Sequence, residues 1–396
     1  MRTVLTVFRK EMVDTLRDRR TIVFMIVIPL LLFPTLFRVM FSVQRNQAEK
    51  AKAKNLRVVC IDGTAGRFVR MLEEHDDLTL VPGAPGDSVA ALIRADRLDG
   101  AFVFSSTFAD DVAGLKPARV DFYYKSADDS PIIRDRLRAI VDEFEDQLLD
   151  ERFDRLEFDR SIVDAVDLKS HNVASMEEQV GRTVGGMLPY IFIIFCFIGA
   201  MYPAIDLGAG EKERGTMETL LTAPVNRFHI LLGKFGVVVL TGLLSATVSM
   251  AGLFVAFKQS NEIPPEFLQV IVKILGWDTI VLVLSLLIPL TIFFAGVLLS
   301  VSLAARSFKE AQSMISPLNI AVVLPAAIGM IPGVKLTYTT AVIPILNVSL
   351  ATKEIIAGTI RTPHLVLVYV SLITLAIASL WGSAWWFRRE STIFRS

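Results

Sequence analysis

The sequence predicts an α-helical polytopic membrane protein with six transmembrane helices and an α/β extracytoplasmic domain inserted between helices 1 and 2. Apolar residues make up 53% of the 396 residues, and most of them lie in six long runs that are almost free of charge. A run of about 18 or more apolar residues is typical of a transmembrane helix. The longest polar stretch separates the first run from the second and is large enough to form a domain with its own core.

The six apolar runs have the length that a bilayer requires, because about 20 helical residues cross a hydrocarbon core of about 30 Å. We place them at residues 21–41, 187–207, 232–257, 279–305, 313–331 and 365–387. A soluble core rarely contains six uninterrupted segments of this length, and the mean hydropathy is +0.51. The sequence therefore predicts a protein integrated in the lipid bilayer.

The first 20 residues predict an amphipathic helix that lies in the membrane interface. An apolar stripe at helical spacing is formed by Met1, Val4, Leu5, Phe8, Met12 and Leu16. The six Arg and Lys residues of this segment lie largely off the stripe. No small-residue cleavage site follows the first apolar run, so a cleaved signal peptide is disfavoured. We expect the interfacial helix to bend into the first transmembrane helix.

Lysine and arginine in the short loops predict the orientation, since such loops carry an excess of them on the cytosolic side. With a cytosolic N-terminus, 14 Lys and Arg lie in the inside segments, which are residues 1–20, 210–227, 306–310 and 387–396. The short outside loops, residues 258–278 and 332–364, hold 5. We therefore expect a multi-pass protein of the cell (inner or plasma) membrane, with both termini in the cytosol and residues 42–186 extracytoplasmic.

Residues 42–186 predict a soluble α/β domain of acidic character. They contain 20 Lys and Arg against 28 Asp and Glu, whereas the rest of the chain contains 21 and 13. Short apolar or alternating stretches predict strands at residues 55–62, 78–81, 100–104 and 118–125. A later helix is expected to begin at Pro131 with Ser130 as its N-cap. Its apolar face consists of Ile133, Leu137, Ile140, Val141, Phe144 and Leu148.

Motifs for catalysis and for metal binding are missing from the sequence. Neither an HExxH motif nor a G-x-S-x-G motif is present, and the four histidines are not paired at metal-binding spacing. No GxxxxGK[ST] stretch occurs, so the phosphate-binding loop of an ATPase is absent. Cys60 and Cys196 lie in segments that we expect in different environments, which excludes a disulfide framework. We expect no catalytic residue, no metal site and no cofactor in this chain, and no nucleic-acid partner.

Residues 210–227, GEKERGTMETLLTAPVNR, form a charged and strongly punctuated segment between the second and third apolar runs. Four alternating charges precede Gly215. We expect Thr216 to cap a short helix that Pro224 ends. On the predicted topology this helix lies at the cytosolic surface and suits docking into the groove of a partner. A loop that is only solvated would require neither a helix nor the Gly215 and Pro224 residues that bound it.

This segment resembles the coupling-helix region of type-2 ABC exporter permeases. The family pattern E-x-G-T-x-E-x-L-L-x-x-P is matched by Glu213, Gly215, Thr216, Glu218, Leu220, Leu221 and Pro224. The N-terminal interfacial helix fits the same family. The large insertion between spans one and two is similar to that of the sodium-exporter permease (NatB-like) branch, and so is IPILNVSLATKEIIAG at residues 343–358.

The resemblance implies a permease subunit that works with a second permease subunit, as a homo- or heterodimer, and with a separate ABC ATPase that binds ATP and Mg²⁺. Contact with this ATPase is implied for Glu211, Lys212, Glu213, Arg214, Gly215, Thr216, Glu218, Leu220, Leu221 and Pro224. A second, smaller contact is implied for Phe308, Lys309 and Glu310. Sodium as the substrate enters only through this resemblance, and lipids, peptides or drugs fit the residues equally well.

Residues 332–364 are too apolar for a free loop and too interrupted for a transmembrane span. We expect short helices that dip into the outer leaflet. The resemblance implies a lid over the pathway, with an interfacial helix without a gating role as the alternative. The candidate gate or pathway residues are Pro344, Asn347, Lys353 and Glu354.

Acidic side chains within the bilayer usually mark a cation path, and none lies well inside spans one, three, five or six. Asp206 and Asp278 lie at the ends of spans two and four, and we interpret Asp206 as a helix-end charge that faces the headgroups. Two other functions stay open from the residues alone. One is a membrane sensor or scaffold that binds a partner through the acidic outer domain. The other, a membrane hydrolase, is disfavoured by the missing motifs.

Overall fold

The computed structural model describes residues 2–61, 66–82, 89–125, 131–157, 185–222, 224–259, 272, 276–331 and 333–387. They belong to two compact units, of which the first combines residues 1–39 with 172–396 and the second contains residues 40–171. Six of the described helices are long and apolar enough to cross a membrane. Each overlaps one of the six apolar runs, as the sequence predicts.

The N-terminal part of the chain is a bent helical arm. Helix α1 (Arg2–Arg17) is followed by α2 (Arg19–Ile22), a π-helical turn (Val23–Val27) and α3 (Ile28–Ala53). The bend falls at Asp18, whose carboxylate caps α2 by accepting hydrogen bonds from the next turn at 3.0 and 3.2 Å. A new helix therefore starts directly after α1 ends.

Two features of this arm differ from the sequence-based expectation. The bend precedes residue 20, because Asp18 supplies a cap that we did not recognise in the basic leader. At the other end, the helix continues past residue 41 to Ala53, because residues 42–53 contain no Gly or Pro and many good helix formers. The π turn ends at Val27, two residues before Pro29. In a regular α-helix the ring of a proline clashes with a carbonyl group of the preceding turn.

The unit of residues 40–171 contains a four-stranded mixed sheet with helices. Its elements are β1 (Leu56–Ile61), α4 (Gly66–Glu73), β2 (Leu78–Leu80), α5 (Val89–Arg94), β3 (Gly100–Phe104), α6 (Phe108–Ala113), β4 (Val120–Tyr124) and α7 (Pro131–Leu156). The strand order is β2-β1-β3-β4, with β1 parallel to β2 and β3, and β4 antiparallel to β3. Each strand falls within a predicted stretch.

Alternating side chains of the strands pack into two separate cores, because successive strand residues point to opposite faces of a sheet. Val58 and Phe102 pack with Leu137 of α7, whereas Val59 and Ala101 pack on the other side with α5. The apolar face predicted for α7 lies in or against the first of these cores. The predicted cap, residue 130, lies outside the described residues.

The remaining described helices of the first unit form one bundle. They are α8 (Met187–Ile205), α9 (Glu211–Glu213), α10 (Thr216–Leu221), α11 (Arg227–Gln259), α12 (Trp277–Ala304), α13 (Phe308–Ile328), α14 (Leu346–Ile356) and α15 (Thr362–Phe387). A π-helical turn, Asp206–Gly210, joins α8 to α9. Helix α8 is largely buried against α11, α12 and α13.

Helix α1 packs on α11 through a face that includes Phe8 of the predicted apolar stripe as well as the polar residue Glu11. Glu11 is buried in this contact, whereas Leu5 and Leu16 of the stripe are exposed. The two helices approach closely because α11 has a glycine there: a Cβ atom on Gly233 would lie 2.8 Å from Cβ of Val7. Part of the stripe, including Leu5 and Leu16, is thus left uncovered by the described bundle.

The segment before α15 contains the short helices that the sequence predicts. A 3₁₀ turn, Thr340–Val342, precedes α14. Most of α14 is buried, and it contacts α8, α12 and α13. The hydroxyl of Ser349 in α14 donates to the carbonyl of Ala326 in α13 at 3.0 Å. Helix α14 is therefore inserted into the bundle, and its depth in the outer leaflet stays a prediction.

Candidate coupling site

The charged segment of residues 210–227, which we call the coupling segment, begins as a continuation of α8 and then turns sharply. Gly215 has a φ of 72° and no atom within 4 Å of the position of a Cβ, so this left-handed residue is the point at which the direction changes. It precedes α10 and occupies the N-cap position. We expected Thr216 in that position, but Thr216 is the first helical residue and its hydroxyl donates to the carbonyl of Glu211.

A buried methionine anchors the short helix α10 to the bundle. Met217 packs with Leu231 of α11 and Leu303 of α12. Glu218 on the same helix is exposed, and Leu220 is half-buried. Helix α10 is thus held on one face, and its acidic face is turned to the solvent. Pro224 is exposed beyond the end of α10, and the side chain of Leu221 lies outside the described part of the structure.

The coupling segment is joined directly to the second predicted contact, residues 306–310, which we call the short loop. The carboxylate of Glu213 accepts a hydrogen bond from the backbone N–H of Phe308 at 2.8 Å. Lys212 donates to the carbonyl of Leu303 at the end of α12. The two loops that the resemblance assigns to one partner therefore lie side by side in the fold.

The short loop is itself locked by a reciprocal capping arrangement. The hydroxyl of Ser307 accepts from the N–H of Glu310 at 3.2 Å, and the carboxylate of Glu310 accepts from the N–H of Arg306 at 2.8 Å. This resembles a capping box, with the carboxylate bound to the residue before the N-cap, and it fixes the start of α13. The carboxylate of Glu310 is thus occupied by the backbone, and Lys309 beside it is exposed.

One serine hydroxyl links α12 to the π turn that precedes the coupling segment. Ser302 accepts from the N–H of Ala209 at 2.9 Å and donates to the carbonyl of Ile205 at 3.2 Å. The wide π turn leaves backbone groups that a regular α-helix would pair internally. Because Ser302 is fully buried, these hydrogen bonds attach the turn firmly to α12.

A buried charged junction lies behind the coupling segment and consists of Lys234, Glu11 and Glu211. The ammonium of Lys234 in α11 is paired with Glu211, lies 3.3 Å from Glu11 of α1 and donates to the carbonyl of Leu207 at 3.1 Å. The three side chains are only 1–5% exposed. Glu11 also accepts from Lys10 at 3.2 Å. Three separate elements thus meet at one lysine.

The position of Glu211 changes the interpretation of the coupling segment. The resemblance assigns this residue to the contact with the ATPase, but its carboxylate is directed inward to Lys234, and its Oε2 has no hydrogen-bond partner among the described residues. A buried charge is tolerated only when it is paired. Glu211 is therefore placed to hold the segment against α11 and α1.

Sequence reasoning missed Lys234 and Glu11, although a signal for the first was present. Lys234 is a lone charge near the beginning of the apolar run 232–257, and an ionisable residue inside such a run indicates a specific partner. The prediction from the sequence considered only acidic residues within the apolar runs. Glu11 has no comparable signal, because it stands among several charges in the basic leader.

A charged cleft of about 820 Å³ opens between α1 and the coupling segment. Arg214 lies on its wall and pairs with Asp206 at 2.7 Å. The hydrogen bond from this guanidinium to Asp206 raises the pKa of Arg214 above its ordinary value. Asp206 is thus an ion-pair partner of Arg214 in the coupling segment. The sequence predicted only a helix-end charge that faces the headgroups. The mixed charges of the cleft suit a polar, complementary protein surface.

The candidate gate residues lie in and around α14, far along the chain from the coupling segment. Asn347 is fully buried and its amide donates to the carbonyl of Ala341 at 3.1 Å. Lys353 donates to the carbonyls of Gly329 and Ile331 at 2.9 and 3.3 Å, beyond the end of α13. Glu354 accepts from the N–H of Leu336 at 2.9 Å. These contacts connect α14 to the segments on either side of it.

Pro344 belongs to a tight turn that directs α14 into the bundle. The N–H of Leu346 donates to the carbonyl of Pro344 at 2.8 Å, and the intervening Ile345 has φ 70° and ψ −52°. This is the rare γ-turn, which is strained for a β-branched residue. Backbone strain of this kind is often found near functional positions. The turn therefore marks this segment as a candidate functional region.

Comparison with known proteins identifies the class to which this arrangement belongs. Residues 19–385 match the model of the ABC-2 family transporter proteins. The chain is also 24% identical, over 358 residues that cover 89% of both proteins, to the ABC transporter permease protein NatB of Bacillus subtilis (strain 168). No solved structure matches it. The chain therefore belongs to the ABC-2 family and is a multi-pass membrane permease protein of an ABC transporter, similar to NatB.

Proposed function

We propose that this permease is one of two permease subunits of an exporter, and that a separate ABC ATPase drives it through the coupling segment and the short loop. The observation that carries the proposal is the hydrogen bond between Glu213 and the N–H of Phe308. It makes the two loops one continuous surface. A single partner can therefore push on α8 and α11 through one loop and on α12 and α13 through the other.

The charged junction supports a transmission role for the coupling segment. A partner that displaces α9 also displaces Glu211, and through Lys234 it displaces α11 and α1. Since a buried ion pair is costly to separate, the three elements are expected to move together. Movement of the loop would thus be transferred to helices that are long enough to cross the membrane.

The orientation is part of the same proposal. The coupling segment and the short loop lie on the cytosolic side, together with both termini, because Lys and Arg are concentrated there. Residues 42–186 lie outside the membrane. ATP and Mg²⁺ bind to the partner ATPase, and this chain supplies no phosphate-binding loop.

The proposed substrate follows from the resemblance alone. Sodium export is implied by the resemblance to the NatB-like branch and stays a prediction. Among the described residues, no group of three or more His, Cys, Asp or Glu is arranged to hold a metal ion. The acidic side chains of the charged junction are already paired with Lys234, and Glu11 is also paired with Lys10.

Co-purification with a cognate ABC ATPase tests the proposal. Glu218→Lys reverses an exposed charge that makes no described contact in this fold, so it should abolish stimulation of the ATPase while leaving the thermal stability of the permease unchanged. Glu213→Ala should weaken both ATPase binding and the connection between the loops. Asp278→Lys, an equally exposed charge reversal in the first turn of α12, is the matched control and should behave like wild type.

If Glu218→Lys binds and stimulates the ATPase as well as Asp278→Lys does, the coupling segment is not the contact. A chain that finds no ATPase partner at all would instead favour the sensor or scaffold function.

A further inference from the structure

A second cavity lies at the other end of the bundle from the coupling site, and nothing in the coupling mechanism uses it. It measures about 840 Å³ and lies between the residues after α13, the second half of α14 and the first turn of α15. Helix α13 has 21 residues, so it separates this cavity from the short loop by about 30 Å. We call it the far pocket. On the proposed orientation it faces the outer leaflet.

The charge of the far pocket is predominantly positive. Lys335, Lys353 and Arg361 line it, and Glu354 is the single acidic residue among the described residues of its lining. One oxygen of Glu354 already accepts a backbone hydrogen bond from Leu336. The net positive charge of the lining therefore favours binding of an anion over binding of a cation.

Lys353 is the cation best placed to act inside the pocket. Its ammonium donates to two backbone carbonyls at 2.9 and 3.3 Å, which leaves one of its three N–H donors for a ligand. Burial lowers the pKa of Lys353, and the neighbouring Glu354 opposes this effect. A partly desolvated ammonium interacts more strongly with an anion than an exposed one does.

The rest of the lining is apolar or aromatic. Leu350, Met330 and Leu336 contribute to the wall. The rings of Tyr338 and His364 meet edge to face, with centroids 4.7 Å apart. Nδ1 of His364 is buried and has no hydrogen-bond partner among the described residues. A cavity with cations on one side and apolar groups on the other suits a molecule with an acidic head and an apolar tail.

We propose that the far pocket binds the anionic head, a carboxylate or phosphate, of an amphiphilic molecule at the end of the export pathway. This names the substrate class as anionic amphiphiles, in place of the sodium that the resemblance implies, and rests on the proposed exporter function for its place in transport. The binding itself requires only the pocket. Arg361 and Lys335 attract the head from the exposed rim, Lys353 holds it, and the apolar wall contacts the tail.

Binding can be measured on the full chain purified in dodecyl maltoside, with dansyl-undecanoic acid as the fluorescent probe and empty micelles as the blank. Decyl phosphate should displace the probe, whereas decyltrimethylammonium, of the same tail length and opposite charge, should not. Inorganic phosphate alone should compete far more weakly than decyl phosphate. Equal competition by inorganic phosphate would overturn the requirement for an apolar tail, and equal competition by the cation would overturn the proposal.

Exposed residues of the rim provide variants that do not disturb folding. Arg361→Gln should weaken probe binding by about tenfold, as expected for loss of one charge-assisted hydrogen bond, and Arg361→Gln with Lys335→Gln should weaken it further. Lys258→Gln removes an exposed charge in the last turn of α11, outside the pocket, and is the matched control. Unchanged binding in the double variant would overturn the proposal.

The two proposals can fail separately. Glu218→Lys should lose ATPase stimulation and keep probe binding, whereas Arg361→Gln should lose probe binding and keep ATPase binding. Absence of any ATPase partner would remove the exporter function but leave a measured probe site in place. Absence of probe binding to a permease that stimulates its ATPase would overturn the far-pocket proposal alone.

Discussion

The ammonium of Lys234 in α11 lies 3.3 Å from the carboxylate of Glu11 in α1, and the same ammonium is paired with Glu211 at the start of the coupling segment. One buried lysine thus joins the N-terminal arm, a helix long and apolar enough to cross a membrane, and the loop that the resemblance assigns to the ATPase. Two buried carboxylates share this buried cation, and Glu11 has a further, exposed partner in Lys10, so removal of Lys234 is expected to have a larger effect than removal of either acid.

Lys234→Met should strongly destabilise the permease, because it removes the buried ion-pair partner of Glu211 and leaves Glu11 paired with the exposed Lys10. Breaking a buried pair in this way typically costs about 3–5 kcal/mol. The expected result is a lower unfolding temperature in detergent and a lower yield from membranes. Neutralising all three groups, with Glu11→Gln and Glu211→Gln added to Lys234→Met, should recover most of the lost stability.

The recovered triple variant separates stability from coupling. It should fold and bind the ATPase but stimulate it less than wild type, because the three elements are no longer joined by charge. A triple variant as unstable as Lys234→Met would show that shape rather than charge matters at this position. Full stimulation would show that the junction has no role in transmission.

Gly233→Ala should displace α1 from α11. The added Cβ would lie 2.7 Å from Cγ1 of Val7, and overpacking of this kind typically costs about 1–3 kcal/mol. Gly382→Ala in α15 is the matched control, because nothing lies within 4 Å of its Cβ position. Alanine is the better helix former, so the control should be neutral or slightly stabilising. Thermal unfolding of both variants measures the difference, and equal stabilities would contradict the packing of α1.

Cys60 should react slowly with iodoacetamide in the folded protein. Burial in the strand β1 raises the pKa of its thiol from 9.0 to about 12, and only the thiolate is nucleophilic. In a Cys196→Ala background the alkylation rate at pH 8 should be roughly a hundredfold or more below that of the unfolded chain. It should rise about tenfold per pH unit through pH 10.

The same shift gives the sign of a pH effect on stability. The folded state holds the Cys60 proton more tightly than the unfolded state, so this stabilisation is complete below about pH 9 and is lost as the pH rises toward 12. A rapid alkylation at pH 8 that matches the unfolded chain would contradict the burial of this thiol.

Single cysteines should report the proposed orientation. In a background of Cys60→Ser and Cys196→Ala, Asp110→Cys lies on an exposed helix of the α/β unit and Lys309→Cys on the exposed short loop. A membrane-impermeant maleimide applied to intact cells should label the first, and should label the second only after permeabilisation. The opposite pattern would reverse the proposed topology.

The sequence predicted most of the local elements because they depend on local chemistry. The strands around Val58 and Phe102 are short apolar runs, and the membrane helices need only length and the absence of charge. The short loop was recognised as a site, but its contact with Glu213 joins residues that are far apart in the chain. No single-sequence pattern reports such a pairing.

The sequence by itself determined the class of protein, the six membrane-crossing segments and the charged loop between the second and third of them. Hydrophobicity and turn chemistry act on neighbouring residues, so they can be interpreted in order along the chain. The tertiary structure decided which charges in that loop face the solvent. Glu218 does, while Glu211 turns inward to a lysine that lies in an apolar run and to an acid of the N-terminal arm, because a charge that leaves water must find its counter-charge wherever the fold brings one within reach.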